Sequence, residues 1–282
     1  TELEYRGPAI PFIAVPTTAG TGSEATKNAV LSMAGENGYK KSFRHEDLVA
    51  QYAVIDPDLL ATCPPLLVAA NGMDALTQLL ESYVSLKANA LTDALALSGL
   101  ESIRVGLLPW YDQRGDPPAA RSHMAYAALL SGINLAQVGL GSVHGLASPL
   151  GAFFPIPHGI VCGTLVAAAS AVNIDALKSR APQSPALAKY AQAGRMLSGQ
   201  VDLQDEAARQ CLLDLLEQWS VHMGLPMLDA YGVRETDFER IIANSRGSSM
   251  KTNPVELTDD EIGVILARRI AKTTLATENN RC

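Results

Sequence analysis

The strongest constraint on the fold of this chain is a change of pattern at Pro64-Pro65. From there to the end, apolar residues recur at spacings of three and four, and nearly every break carries a helix cap or stop signal. This spacing places the apolar side chains along one face of each helix. We therefore predict a mainly α chain in which residues 65–282 form an all-helical domain, beginning with a helix from Leu66 to Tyr83.

Local signals predict several further helices. Thr92 is a suitable N-cap for a helix that continues to Leu107. Ser184 stands before a proline at the first helical position, and Thr258 begins a capping box with Glu261. Other predicted helices cover residues 119–135, 159–172 and 206–223.

The residues before this boundary have a different pattern. Short apolar runs at residues 12–15, 29–33 and 50–55 predict strands, and a polar, hairpin-like region from Gly35 to Glu46 separates the last two. Three short strands without companion helices cannot form an α/β sheet that is covered on both faces. We therefore expect residues 1–64 to pair with a segment that is absent or to lie against the helical domain.

The composition narrows the class of protein. The 282 residues are 48% hydrophobic and 18% charged, with a formal net charge of −7, which is typical of a folded domain and unsuited to general binding of nucleic acid or anionic membranes. The four cysteines are widely spaced and form no CxxC pair, as expected of a protein in a reducing compartment. The longest apolar run, residues 159–172, is shorter than the roughly 20 residues of a membrane span. We expect a cytoplasmic protein. Because Thr1 is not a methionine and a strand-like run follows almost at once, we also expect a fragment or a processed product.

Four polar side chains are candidates for one divalent-metal site. His144 and His158 lie in a glycine-rich stretch, and Asp74 and Gln78 are four residues apart on the first predicted helix, hence on one face. A carboxylate with two imidazoles suits Fe²⁺, Zn²⁺, Mn²⁺ or Co²⁺ better than Ca²⁺ or Mg²⁺. The amide of Gln78 is a weak ligand, and its other role would be to hydrogen-bond an oxygen held by the ion.

Asp74 is the strongest reason to expect a metal site. Either histidine alone is also explained as a buried imidazole that bonds the backbone, whereas a carboxylate on an otherwise apolar helix face must be paired or bind a cation. Glu81, one further turn along the same face, is placed to support the ligands from behind. We interpret Cys162 as a small apolar core residue, since no base is arranged to activate it.

A second candidate site is the Thr/Gly-rich turn after the first predicted strand. Its backbone N–H groups and hydroxyls would suit a phosphate or the amide end of a dinucleotide, and its glycines would let the backbone approach a ligand. The alternative is a glycine-rich loop without a ligand. The candidate residues are Thr17, Thr18, Gly20, Thr21, Gly22 and Ser23.

Five motifs in this order resemble those of one enzyme family. They are PTTAGTGSE at residues 16–24, NGMDALTQLLESY at 71–83, HGLASPLGA at 144–152, PIPHGIVCG at 155–163 and LPMLDAYGV at 225–233. Together they resemble the iron-containing (group III) alcohol dehydrogenases, within the dehydroquinate synthase-like superfamily. The resemblance covers essentially the whole chain.

The resemblance implies a two-domain enzyme with NAD or NADP and a metal in the cleft between its domains. Residues 1–64 would be a remnant of the α/β nucleotide-binding domain, and residues 65–282 the all-helical, metal-binding catalytic domain. The Thr/Gly-rich turn matches the part of the family that contacts the cofactor. A homodimer or higher oligomer, or association with a missing N-terminal domain, is also expected.

Two positions depart from the family pattern. The position of Gln78 is typically a histidine ligand, and that of Ser148 is typically a second histidine implicated in proton transfer. Asp74, His144 and His158 do match and leave a three-ligand set like that of the glycerol dehydrogenase branch. Loss of a ligand is also compatible with a metal-independent reductase, as in the maleylacetate reductase branch.

The leading hypothesis is an NAD(P)-dependent, metal-assisted alcohol/aldehyde oxidoreductase. Fe²⁺ or Zn²⁺ at the three matching ligands would polarise the substrate oxygen while hydride passes between its carbon and the nicotinamide, and Ser148 or water would relay the proton. Two alternatives stay open: a truncated, inactive relative that acts as an oligomerisation or binding module, and a metal-independent reductase of the maleylacetate type.

Overall fold

The computed structural model describes residues 5–33, 35 and 38–271. Over these residues the chain forms four short strands followed by nine α-helices. The strands are β1 (Ile13–Ala14), β2 (Asn28–Met33), β3 (Tyr39–Arg44) and β4 (Tyr52–Ala53). The helices are α1 (Pro65–Val84), α2 (Ala90–Tyr111), α3 (Pro117–Val138), α4 (Ser142–Phe153), α5 (His158–Arg180), α6 (Pro185–Ser198), α7 (Asp205–His222), α8 (Phe238–Ala243) and α9 (Asp259–Ala267). The mainly α fold, with short strands before residue 64 and helices after it, is confirmed.

Helices α1 and α5 form the centre of the helical part. α1 packs against α2, α3, α5 and α6, and α5 also contacts α4, α7 and α9. Both helices are enclosed on nearly all sides, with Leu76 and Leu165 fully buried. Besides Thr77 and Ser82, whose hydroxyls donate to backbone carbonyls of the same helix, three polar side chains of α1 lie in this interior: Asp74, Gln78 and Glu81. Because buried polar groups are costly unless they are paired, these three need partners or a ligand.

Helix α5 has the length and composition of a membrane span. Its most apolar window has a mean hydropathy of 1.8, but 89% of that window is buried inside the protein. Helices α3 and α4 pass the same test only together, and they bend by 98° where they meet. Since other helices enclose it, α5 is a core helix, as the apolar run at residues 159–172 predicted.

The helix ends follow the local sequence signals with one exception. Ser184 caps α6, and Thr258 caps α9 in a capping box with Glu261, as predicted. The prediction for α2 was wrong, because its N-cap is Asn89 rather than Thr92. The Asn89 side chain accepts a hydrogen bond from the Thr92 N–H at 3.2 Å, while the Thr92 hydroxyl accepts one from the Asn89 N–H at 3.0 Å. Thr92 is therefore the third residue of a capping box.

The region predicted as a polar, hairpin-like connection contains a full strand. β2 pairs antiparallel with β3, from Asn28 opposite Arg44 to Met33 opposite Tyr39. The predicted strand at residues 50–55 is reduced to the two residues of β4, which pair in parallel with β1. The sequence of β3, YKKSFR, has too few apolar residues to show the alternation of a strand.

The β2–β3 hairpin lies against α4. The Gly35 N–H donates to the carbonyl of Ala152 at 3.3 Å, and the Ser148 hydroxyl donates to the carbonyl of Lys40 at 2.9 Å. These bonds fix the hairpin as one wall of a cleft whose floor is formed by α1, α4 and α5.

The β1–β4 pair leaves apolar side chains on the surface. Ile13 is 61% exposed and Tyr52 is 68% exposed. Among the described residues no third strand joins either one. Since parallel strands are normally covered on both faces, this pair presents an apolar edge of the kind that binds further backbone.

Candidate metal centre

Three helices bring the predicted ligands together. Asp74 lies in the middle of α1, His144 in the first turn of α4, and His158 is the first residue of α5. His144 and His158 each lie in the first turn of their helix, and their ring centroids are 5.3 Å apart. Ligand atoms of Asp74, His144, His158 and Cys162 all lie within 4.8 Å of one another.

The Asp74 carboxylate is buried without a hydrogen-bond partner. It is 1% exposed, and neither oxygen accepts a well-aligned hydrogen bond from any residue that the structure describes. Its Oδ1 lies 3.3 Å from Nε2 of His144 and 3.7 Å from Nε2 of His158. The carboxylate and the two Nε2 atoms thus face one small space. A cation in that space would satisfy all of them.

Glu81 holds the imidazole of His144 in place. Its Oε2 lies 2.7 Å from Nδ1 of His144, and its Oε1 accepts the backbone N–H of Val143 at 2.6 Å. A carboxylate at Nδ1 favours the tautomer that carries its proton there, which leaves Nε2 free toward Asp74. Glu81 also compensates the positive end of α4, together with the Asn253 side chain, which accepts the Ser142 N–H at 3.0 Å. The supporting role predicted for Glu81 agrees with these contacts.

The cluster includes a side chain that the sequence interpretation set aside. Cys162 is fully buried one turn after His158 on α5, and its Sγ lies 3.8 Å from Nε2 of His158 and 3.6 Å from Nε2 of His144. Its burial in the apolar core agrees with the sequence interpretation, but its thiol also faces two imidazole nitrogens and a carboxylate, which that interpretation did not include. The four-residue spacing of His158 and Cys162 on one helix was the available signal.

Burial and mutual contact shift the pKa values within the cluster. Burial opposes ionisation of Asp74, but the imidazoles of His158 and His144 favour the carboxylate and bring its pKa to about 2. Burial lowers the pKa of His158 to about 4. Burial alone would also lower the pKa of His144, yet the surrounding Cys162, Asp74 and Glu81 raise it well above its usual value. Burial raises the pKa of the Cys162 thiol to about 12.

The cluster lies at the floor of a cleft of about 810 Å³, a volume within the range of small-molecule sites. Gln78 and Ser148 both line it. The Gln78 side-chain oxygen has no partner among the described residues, whereas the Ser148 hydroxyl is already engaged with the Lys40 carbonyl. Lys40 itself extends into the cleft, with Nζ 3.4 Å from Nδ1 of His158, and burial lowers its pKa. Lys40 was missed because it stands in the strand that the sequence did not predict.

The hydroxyls of the Thr/Gly-rich turn face outward. Thr21 and Ser23 border the cleft, so this turn and the cluster open into the same space. The exposed hydroxyl side chains of the turn are Thr17, Thr18, Thr21 and Ser23.

The glycines of the same turn face inward, toward helices. A Cβ at Gly20 would lie 2.6 Å from Cβ of Asn71 on α1, and one at Gly22 would lie 2.4 Å from the carbonyl oxygen of Ala128 on α3. Gly22 also has a φ of +59°, in the left-handed region. Packing against the helices therefore accounts for a glycine at both positions, and their predicted contact with a cofactor stays a prediction.

Known proteins share both the sequence and the fold. The chain is 34% identical over 263 residues to alcohol dehydrogenase 4 of Schizosaccharomyces pombe, a match covering 92% of this chain and 58% of that protein. It is 31% identical over 262 residues to the NAD-dependent methanol dehydrogenase of Bacillus methanolicus, covering 92% of this chain and 66% of that one. The chain thus spans about three fifths to two thirds of the length of these curated relatives.

A solved structure and two family descriptions agree with these relatives. The structure of a 1,3-propanediol oxidoreductase superposes with a TM-score of 0.84 at 30% identity, covering 94% of this chain and 68% of that one. Residues 2–57 match the iron-containing alcohol dehydrogenase description. Residues 68–270, well over half of the chain, match the C-terminal region of the Fe-containing alcohol dehydrogenase family. The chain therefore belongs to the iron-containing alcohol dehydrogenase family.

Proposed function

We propose that this chain is the metal-binding catalytic part of an NAD(P)-dependent oxidoreductase that interconverts small alcohols and aldehydes. The observation that carries the proposal is the convergence of Asp74, His144 and His158 at the floor of the cleft, with both Asp74 oxygens unpartnered. Residues 65–282 are the catalytic domain in this proposal, and residues 1–64 belong to the nucleotide-binding domain.

The residues of the cluster fit a divalent ion. One carboxylate, two imidazoles and a thiol are borderline-soft ligands that suit first-row transition metals and Zn²⁺. An ion there would supply Lewis acidity toward the substrate oxygen, and the nicotinamide would supply or accept the hydride. Burial of Asp74 excludes water from its carboxylate.

The remaining cleft residues have separate roles in this proposal. Glu81 holds His144 with Nε2 directed into the cluster. Gln78 offers an unpartnered amide to a substrate hydroxyl or carbonyl. Lys40 places a positive charge beside His158, where it would attract a negatively charged part of the cofactor. The Ser148 hydroxyl donates to the Lys40 carbonyl, so a proton relay through Ser148 would require this bond to break, and water is the simpler relay.

The cofactor is proposed to lie along the side of the cleft that carries the Thr/Gly-rich turn. Thr21 and Ser23 border the cleft, and the related methanol dehydrogenase is described as NAD-dependent. The apolar edge of β1 and β4 would be covered by further sheet of the nucleotide-binding domain or by a second copy of the chain. The match covers 58% of the alcohol dehydrogenase 4 and 66% of the methanol dehydrogenase, so both relatives are longer than this chain.

The test combines metal analysis with turnover on the full 282-residue chain. After removal of bound metal and reloading with Fe²⁺ or Zn²⁺, we expect about one ion per chain and reduction of NAD or NADP by short primary alcohols. Asp74→Asn should lose both the ion and the turnover, whereas Asp175→Asn, at an exposed position of α5, should keep both.

Three results would contradict parts of this proposal. Undiminished turnover in chelator would favour a metal-independent reductase. Stoichiometric metal without turnover on any alcohol or aldehyde would favour a binding module. Equal metal content in the Asp74→Asn and Asp175→Asn variants would refute the ligand assignment.

A further inference from the structure

Cys162 has the geometry of a fourth ligand of the proposed ion. Its Sγ faces Nε2 of both histidines, at 3.6 Å and 3.8 Å, and these are the nitrogens that point toward Asp74. A cysteine that only filled the core would be surrounded by carbon atoms. Here the thiol meets the polar side of three potential ligands.

The unpartnered Asp74 carboxylate points independently to a ligand at this position. Both of its oxygens are buried and lack a hydrogen-bond donor among the described residues. The Cys162 thiol is a weak donor and does not satisfy them. The carboxylate, the two imidazole nitrogens and the sulfur surround one small space, and together they form a ligand set that suits a divalent cation.

We infer that Cys162 binds the ion as a thiolate and takes the ligand role that a histidine at position 78 would fill in the family pattern. The inference rests on the proposed function, because it concerns the same ion. In this arrangement Gln78 is not needed as a ligand, and its amide is available to the substrate.

Binding through Cys162 changes the charge and the metal preference of the centre. When the ion binds, the S–H bond of Cys162 breaks, a sulfur–metal bond forms and the proton leaves to solvent. The two positive charges of the ion are then balanced by one carboxylate and one thiolate, so the centre is neutral overall. A centre with one carboxylate and three imidazoles would keep one positive charge. Because thiolate is a soft ligand, the four-ligand set favours Zn²⁺, and experimentally Co²⁺, over Mn²⁺ and Mg²⁺.

The decisive measurement is the absorption spectrum of the Co²⁺-loaded chain. A thiolate ligand produces a sulfur-to-cobalt charge-transfer band in the near ultraviolet, and carboxylate and imidazole ligands do not. We expect this band in the unmodified chain and its complete loss in Cys162→Ser. We expect Zn²⁺ affinity to fall in Cys162→Ser by more than the roughly 10- to 100-fold typical for residues that only support a ligand.

Cys211→Ser is the matched control. Cys211 is a half-buried free cysteine on α7 outside the cluster, so its replacement should leave the band and the affinity unchanged. If Cys162→Ser does not fold, X-ray absorption of the Zn²⁺-loaded Cys211→Ser chain gives the same information, with one sulfur neighbour expected at about 2.3 Å.

The outcomes separate this inference from the proposed function. About one Co²⁺ per chain without the band, or a zinc spectrum with only nitrogen and oxygen neighbours, would overturn the role of Cys162 and leave the metal centre intact. Absence of any stoichiometric metal would overturn both. Loss of the band in Cys211→Ser would show that the sulfur ligand is a different cysteine.

Discussion

Glu81→Gln should change the protonation and orientation of the His144 ring while leaving the rest of the fold in place. The carboxylate has two acceptor oxygens, one facing Nδ1 of His144 and one accepting the Val143 N–H. An amide of the same shape has only one acceptor oxygen, so its NH₂ group must face one of these two positions. If the oxygen stays with Val143, the NH₂ group favours the His144 tautomer that is protonated on Nε2. That tautomer presents a proton, instead of an electron pair, to the metal site.

The contacts of Glu81 allow both effects of the change to be estimated. Loss of the residue that orients a metal-binding histidine typically weakens metal affinity by about 10- to 100-fold. A buried donor left without an acceptor costs about 1–3 kcal/mol, and Glu81 is 6% exposed. At about 2–4 °C per kcal/mol for a domain of this size, we expect the melting temperature to fall by about 4–8 °C for a loss of about 2 kcal/mol.

The assay is a competition titration of Zn²⁺ against a chromophoric chelator, with thermal unfolding measured in parallel. Glu101→Gln is the control, because the Glu101 side chain is 60% exposed on α2 and lies 3.8 Å from Arg104 in a surface ion pair worth little. The reasoning would be refuted by a folded Glu81→Gln chain whose Zn²⁺ affinity matches that of Glu101→Gln. Such a result would mean that His144 keeps its orientation without the carboxylate.

Three further predictions follow from the same structure. Gly20→Ala should reduce the free energy of unfolding by about 1–3 kcal/mol in a urea titration, because its Cβ would lie 2.6 Å from Cβ of Asn71. Gly247→Ala should change it little, because a Cβ at Gly247 would have no neighbour within 4 Å, and equal effects of the two changes would contradict the packing argument. Gln78→His should tighten Zn²⁺ or Fe²⁺ binding, since an imidazole is a better ligand than an amide, and an unchanged dissociation constant would show that residue 78 does not face the ion. Zn²⁺ at 100 times its dissociation constant should stabilise the unmodified chain by about 2.7 kcal/mol, and an unshifted melting temperature would argue against a site in the folded state.

The helices were accessible from sequence because their signals are local. Spacings of three and four along α1 predicted both its extent and the shared face of Asp74 and Gln78. Ser184 and Thr258 cap the helices that they were predicted to cap. In each case the interaction joins residues within one helical turn, so the pattern is readable without a partner.

The features that escaped prediction depend on contacts between distant residues. β3 is stabilised by its pairing with β2 and by its contact with α4, not by its own alternation. Gly20 is required by Asn71 on another element. Cys162 lies one turn after His158 on α5, but its proximity to His144 and Asp74 depends on the approach of α4 and α1 to α5. Sequence spacing alone does not contain these distances.

An ion held by Asp74 and His144 would also act as a cross-link. The two residues are separated by 70 positions, so their common attachment closes a loop that contains α2 and α3. An ion that binds only the folded state must leave before this loop can open. Local opening of α2 and α3 would therefore become rarer when the ion is bound, and both helices would gain resistance to proteolysis although neither contributes a ligand.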